Sequence, residues 1–255
     1  MTASLKVWLE AEGRLLRLRL SRPKANLIDA GMIAALDEAL AAHLDHPALS
    51  AVLVDAEGPH FSFGASVEEH MPDQCAAMLR GIHGLILRLV ESTVPVLVAV
   101  RGQCLGGGLE VALAGHLVFV APDASLGQPE IKLGVFAPAA SCLLPECVGP
   151  ARSLDLLLSG RSITGAQAAA MNMVFEAVAD PERAALAYFD EYLKPKSASS
   201  LRYAVRAARH HYVARVRTKI AIVERVYLDE LMKTNDALEG LTAFVGKRAA
   251  QWQHR

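Results

Sequence analysis

The spacing of apolar and polar residues changes character along this chain, and the changes predict its layout. LLRLRL (15–20) alternates leucine with arginine after Leu16, a period of two that predicts a strand with one buried face. SAVLVDAEG (50–58) and PVLVAVRG (95–102) are short apolar, β-branched runs ending in glycine and predict buried strands. HLVFVAPDASLG (116–127) predicts a third, stopped by Pro122. Between these runs the period lengthens to three and four. GMIAALDEALAAHL (31–44) predicts a helix that Asp29 can cap, and VEEHMPDQCAAMLRGIHGLILRLVES (67–92) predicts another, with Pro72 near its start.

Beyond Asp180 the pattern holds no strand. Residues 182–193, 200–234 and 236–255 all predict helices; Pro195 separates the first two, and Asn235-Asp236 is expected to cap the last. Strands alternating with helices imply an α/β body over residues 1–195, and the rest implies a helical region over residues 196–255. No internal repeat interrupts this order.

Composition narrows the function classes. The chain of 255 residues is 53% apolar and 21% charged, a globular balance. Its formal net charge is -1 and aromatics make up 5%, so neither a basic stripe nor a base-stacking surface is expected, and no nucleic-acid partner. The first twenty residues carry scattered charge, and Arg101 and Glu110 interrupt the most apolar region (94–122). No leader, no membrane partner and a cytoplasmic location are therefore expected. The four cysteines, Cys75, Cys104, Cys142 and Cys147, form no C-x-x-C pair and predict reduced thiols. His43, His46, His210 and His211 lie in polar or basic helical segments and predict solvated side chains rather than metal ligands.

The chemistry concentrates in GQCLGGGLEVALAGH (102–116). Gly106, Gly107 and Gly108 stand in a row, and Glu110 follows in an apolar run. No lysine follows as a phosphate-binding loop requires, and the glycine spacing does not fit a dinucleotide fingerprint. What remains is a strand, a glycine turn and a helix start, where free N–H groups point outward and can hold an oxyanion; a tight packing turn would fit three glycines equally well. HFSFGASVEEH (60–70) repeats the arrangement, with Gly64 between a strand-like run and a helix. Two such junctions can supply the two amides that a thioester oxygen needs on becoming an enolate. G-x-S-x-G is absent, which removes the usual serine hydrolase.

These blocks, together with RPKANLI (22–28), GQPEIKLGV (127–135), LLLSGRSITGAQAAAMNMV (156–174) and EGLTAFVGKR (239–248), resemble the crotonase (enoyl-CoA hydratase/isomerase) superfamily over most of the chain. The resemblance implies a crotonase-like ββα spiral core, with a C-terminal helical trimerisation region giving a homotrimer or a hexamer. It implies hydration of an acyl-CoA thioester, with coenzyme A as part of the substrate and no separate cofactor or metal. It assigns the oxyanion hole to the Ala65 and Gly107 amides and catalysis to Glu110 and Glu130, twenty residues apart. Gly64 and Ser66 would flank the substrate; Lys24, Phe244 and Lys247 would meet its coenzyme A portion.

One segment departs from the family pattern. A glycine-rich stretch is replaced here by FAPAASCLLP (136–145), and Ser66 stands where many members carry aspartate. Phe136 and Pro138 are therefore expected in a stiffer, more apolar acyl pocket, in the manner of the branch that hydrates cyclic dienoyl-CoA esters. A general short-chain enoyl-CoA hydratase and a non-catalytic acyl-CoA-binding subunit are the competing expectations.

Overall fold

The computed structural model describes residues 4–255. Strands β1 (Leu5–Glu10), β2 (Leu15–Leu20), β3 (Ala51–Ala56), β4 (Val96–Val100), β6 (Leu117–Val120) and β9 (Glu176–Ala177) form a six-stranded sheet in the order β1-β2-β3-β4-β6-β9. Only the β1–β2 pair is antiparallel; the others run parallel. A second, three-stranded sheet contains β5 (Gln103–Leu105), β7 (Ser125–Gly127) and β8 (Ser162–Thr164).

The chain shuttles between these sheets. After β4 it enters β5 and then helix α3 (Gly107–Ala114); after β6 it enters β7 and then a 3-10 turn at Pro129–Leu133. After β3 a single parallel bridge, Ser62 to Cys104, does the work of the second strand before α2 (Cys75–Glu91) begins. Ser62, Cys104 and Leu126 thus share one row of the second sheet. Parallel neighbours in register carry the next residues of each turn side by side, so Ala65 and Gly107 both lie three residues past that row and Glu130 lies four past it.

Parallel strands are covered on both faces, and this sheet is no exception. Leu16, Leu18, Val52, Val54, Val96 and Val98 face the large core beneath α1 (Ala30–His43), α2 and α3. Leu15, Leu53, Leu97 and Phe119 face α6 (Pro181–Tyr188) and the π-helical turn that follows it. This corrects the half-buried reading of LLRLRL: Arg17 is only 3% exposed, because α6 covers its face and charge partners replace water. Its guanidinium donates to Asp55 at 2.5 Å and to Glu182 at 2.7 Å, and Arg19 joins both acids.

Other expectations need adjusting. The run 116–127 is two strands in different sheets, because the chain turns at Pro122 and Asp123. Strand β1, whose scattered charges masked its pattern, pairs at the edge of the sheet. Helix α8 (Asn235–Val245) is capped by Thr234, whose hydroxyl accepts the Ala237 N–H at 3.2 Å; Asp236 instead accepts the Gln253 and His254 amides. Asp29 does cap α1, accepting the Met32 N–H at 2.9 Å. Helix α4 (Pro138–Ser159) contains a break at Gly149 and is followed by β8 and α5 (Gly165–Ala170). Helix α7 (Ala198–Arg225) packs on α2 and α4, and its Val216 and Ile220 join the same core as the sheet. No helix among the described residues is long and apolar enough to cross a membrane.

Candidate active site

The two glycine junctions meet back to back. Ser62 donates its N–H to Gln103 and accepts from Leu105, locking the first junction to the second. Gly64 has φ +105° and Gly106 has φ +50°, values that a side chain resists. The three consecutive glycines have three separate causes. A Cβ on Gly106 would lie 2.6 Å from Glu130 Oε1; one on Gly107 would lie 3.3 Å from the Ala65 nitrogen; one on Gly108 would lie 2.5 Å from the Ser62 Cβ. The amides of Ala65 and Gly107 are therefore neighbours, and neither donates to an acceptor among the described residues. Gly107 opens α3, so its N–H belongs to the unsatisfied first turn of a helix.

Glu110 lies one turn further along α3 and is 4% exposed. Its Oε1 accepts the Ala140 N–H at 2.8 Å, and the Ala139 amide also stabilises its charged form. These donors come from the first turn of α4, where Pro138 occupies the first position and forfeits an N–H that helix geometry leaves unbonded anyway. Burial nevertheless wins, and the Glu110 carboxyl is held above the usual carboxylate range. Glu130 sits in the first turn of the 3-10 segment, behind Pro129. Burial, and then the neighbouring Glu110 charge, push it up to about 8. With its amide nitrogen turned toward the acid, Gln128 donates to both Glu130 oxygens, at 3.1 and 3.2 Å. One neutral and one ionised carboxyl beside two free amides can give and take a proton around a polarised carbonyl.

The remaining expected residues divide. Gly64 is buried and Ser66 is partly exposed, its hydroxyl bonded to Glu68 at 2.9 Å. Pro138 is buried in the α4 first turn, and the Phe136 ring stands edge-on to Tyr227 at 5.2 Å. Lys24, Phe244 and Lys247 are exposed, and among the described residues none has a side-chain hydrogen bond or ion pair with Glu110 or Glu130. Four contributors escaped sequence reasoning. Gln128 stood two residues before Glu130. His83 stood on the buried face of α2, between Leu79 and Ile86 in helical spacing. Tyr227 is fully buried beyond α7. Ala140 acts through its backbone, for which sequence offers no signal. Cys75, Cys104 and Cys142 are buried free thiols and Cys147 is partly buried; burial raises all four, which leaves them poor nucleophiles. Among the described residues no cluster of potential metal ligands exists.

The Ala65 and Gly107 amides thus lie side by side at the ends of adjacent turns, with Glu110 on the helix that Gly107 opens and Glu130 against Gly106, and the chain belongs to the enoyl-CoA hydratase/isomerase family, whose model matches residues 10–255. It is 63% identical over 254 residues to the cyclohexa-1,5-dienecarbonyl-CoA hydratase of Thauera aromatica, covering 100% of this chain and 98% of that protein. It is 32% identical to a probable enoyl-CoA hydratase of Rhizobium meliloti, covering 97% of each. Among solved structures, an enoyl-CoA hydratase/isomerase from Pseudoalteromonas atlantica superposes with a TM-score of 0.83 at 27% identity, covering 98% of this chain and 99% of that one.

Proposed function

We propose that this chain adds water to an α,β-unsaturated acyl-CoA thioester whose acyl group is a cyclic diene, cyclohexa-1,5-diene-1-carbonyl-CoA. The observation that carries the chemistry is the Ala65 and Gly107 amide pair beside the two pKa-shifted glutamates. The full-length 63% identity to the Thauera hydratase supports the ring. The apolar first turn of α4, whose Ala140 meets Glu110, suits it as well.

The thioester oxygen accepts both amide N–H groups. The ionised glutamate takes a proton from water as the water oxygen bonds to ring carbon 2. The C1–C2 π pair moves toward the thioester and leaves a dienolate whose negative charge rests on the oxyanion donors. The neutral glutamic acid then protonates carbon 5, at the far end of the dienolate. The double bond settles between C1 and C6, the carbonyl re-forms, and renumbering gives 6-hydroxycyclohex-1-ene-1-carbonyl-CoA. One water has been added. Burial serves this sequence because it keeps one carboxyl protonated near neutral pH.

Coenzyme A enters as part of the substrate; Lys24 and Lys247 would meet its phosphates, and Phe244 its adenine or pantetheine. The assembly is a homotrimer, alone or paired into a hexamer. In support, Leu154, Leu158, Ile222 and Val245 expose large apolar side chains on the helices of the carboxy-terminal half. The reaction takes place in the cytoplasm, where free thiols persist. The deciding experiment compares turnover of crotonyl-CoA and the cyclic dienoyl-CoA by purified protein. Faster turnover of crotonyl-CoA rejects the ring; turnover of neither rejects hydration.

A further inference from the structure

Tyr227 stands in the π-helical turn Val226–Glu230 that continues α7. It is 0% exposed, and its hydroxyl has no hydrogen-bond partner. No other buried hydroxyl among the described residues is left in that state. A buried tyrosine ordinarily finds a partner for its O–H, and folded proteins rarely carry an empty one without a use. The ring stands edge-on to Phe136, with centroids 5.2 Å apart. Phe136 lies on a short span of chain between two anchors of the site. On one side the Val135 N–H donates to the Glu130 carbonyl at 3.3 Å; on the other the Ala140 N–H donates to Glu110 Oε1 at 2.8 Å. The phenol is therefore packed against the segment that joins the two glutamates. Burial raises its pKa, and the Cys75, Glu130 and Glu110 charges raise it further, so the hydroxyl stays protonated and remains a donor.

We propose that the Tyr227 hydroxyl binds the oxygen that hydration adds, meeting the water before the reaction and the ring hydroxyl after it. The inference rests on the hydratase reading and gives that site a third polar side chain. The chemistry of the substrate leaves the phenol one partner. The thioester oxygen is held by the Ala65 and Gly107 amides, and the rest of the acyl group is a hydrocarbon ring. Only the reacting water brings a polar atom to the ring carbons. A water inside a protein is held by two to four polar partners. The ionised glutamate accepts one of its protons, and the other glutamate is kept for carbon 5. Held at that single point, the water is free to swing away from the ring. The Tyr227 O–H donates to one lone pair of the water oxygen and leaves the other free to attack carbon 2. After the addition the same oxygen, now the ring hydroxyl, keeps the same donor. No bond to the phenol forms or breaks, and Tyr227 retains its proton throughout.

Tyr227→Phe keeps the ring and its contact with Phe136 and removes only the hydroxyl. Initial rates of the purified protein are read in both directions. In hydration of the cyclic dienoyl-CoA, kcat is expected to fall about 10-fold with KM unchanged, the scale of one hydrogen bond. In dehydration of 6-hydroxycyclohex-1-ene-1-carbonyl-CoA, KM is expected to rise about 10-fold. The two effects must match, because the variant cannot alter the overall equilibrium. Cyclohex-1-ene-1-carbonyl-CoA, which carries the ring without the hydroxyl, should inhibit both proteins equally. The ligand-free variant should melt at or above the wild-type temperature, since an unpartnered buried hydroxyl has been removed. A lower melting temperature would give the hydroxyl a partner within the fold and overturn the proposal. Weaker inhibition by the ring analogue would trace the loss to pocket shape and overturn it as well. Unchanged constants in both directions would show that the phenol never meets the added oxygen. Absence of hydration by the wild-type protein would instead sink the hydratase reading, and the role of the phenol would fall with it.

Discussion

Ala140 gives its backbone N–H to Glu110 Oε1 at 2.8 Å across thirty residues of sequence. The contact sets the first turn of α4, built of Pro138 and alanines where the family pattern is rich in glycine, against the acid. Ala140→Pro removes that donor at the third position of α4, where the amide makes no bond within the helix. Its expected effect is a further rise in the Glu110 pKa, because burial then acts with less opposition. The pH profile of kcat/KM should shift to higher pH by a measurable fraction of a unit, with circular dichroism unchanged.

The glutamates themselves make the most direct target. Glu110→Gln and Glu130→Gln preserve shape and remove proton transfer, so each should lower kcat by about 100- to 10,000-fold. Thermal melts should show both variants folded. A variant with wild-type hydration would remove that glutamate from the mechanism.

Glu130 also predicts a pH dependence. Its pKa is raised to about 8, so near neutrality the folded chain holds a proton that the unfolded chain releases. The contribution of this group to stability is therefore complete below its unfolded value and declines as pH rises toward about 8. Glu130→Gln should relieve that loss, raising Tm relative to wild type at pH 8.5 more than at pH 5. Activity that needs one protonated carboxyl should fall on the alkaline side near the same pH, as read from kcat/KM.

Gly107→Ala tests the oxyanion pair. The added methyl would lie 3.3 Å from the Ala65 nitrogen and 3.0 Å from Ile82 Cδ1, on the space where a thioester oxygen would sit. Loss of that oxygen's donors costs on the order of 100- to 1,000-fold in kcat. Retained coenzyme A affinity by calorimetry would confirm that the damage is confined to the carbonyl.

Asp55 predicts stability rather than activity. It is 1% exposed and pairs with both Arg17 and Arg19. Asp55→Ala leaves Arg17 buried with Glu182 and Glu10 as its remaining partners, so a loss of about 3–5 kcal/mol is expected, the range for breaking a buried pair. Urea denaturation would measure it.

What the sequence determined by itself was local. Period two and period three-to-four placed most long elements, because one face of each must leave water. Asp29 announced the start of α1, and the strand–glycine–helix junctions drew attention to Gly64, the Gly106–Gly108 turn and Glu110, while Ala65 and Gly107 were singled out by the family resemblance. Short strands β5 and β8 were illegible, since three residues carry too little pattern to tell a strand from a turn. The tertiary structure alone decided what lay beside what: that Ser62, Cys104 and Leu126 share a row, that α4 aims its amides at Glu110, and that His83 faces Glu224 across 141 residues of sequence. Such contacts depend on the register of distant segments and on backbone atoms that every residue possesses. A reading of side-chain types along one strand of text therefore cannot contain them.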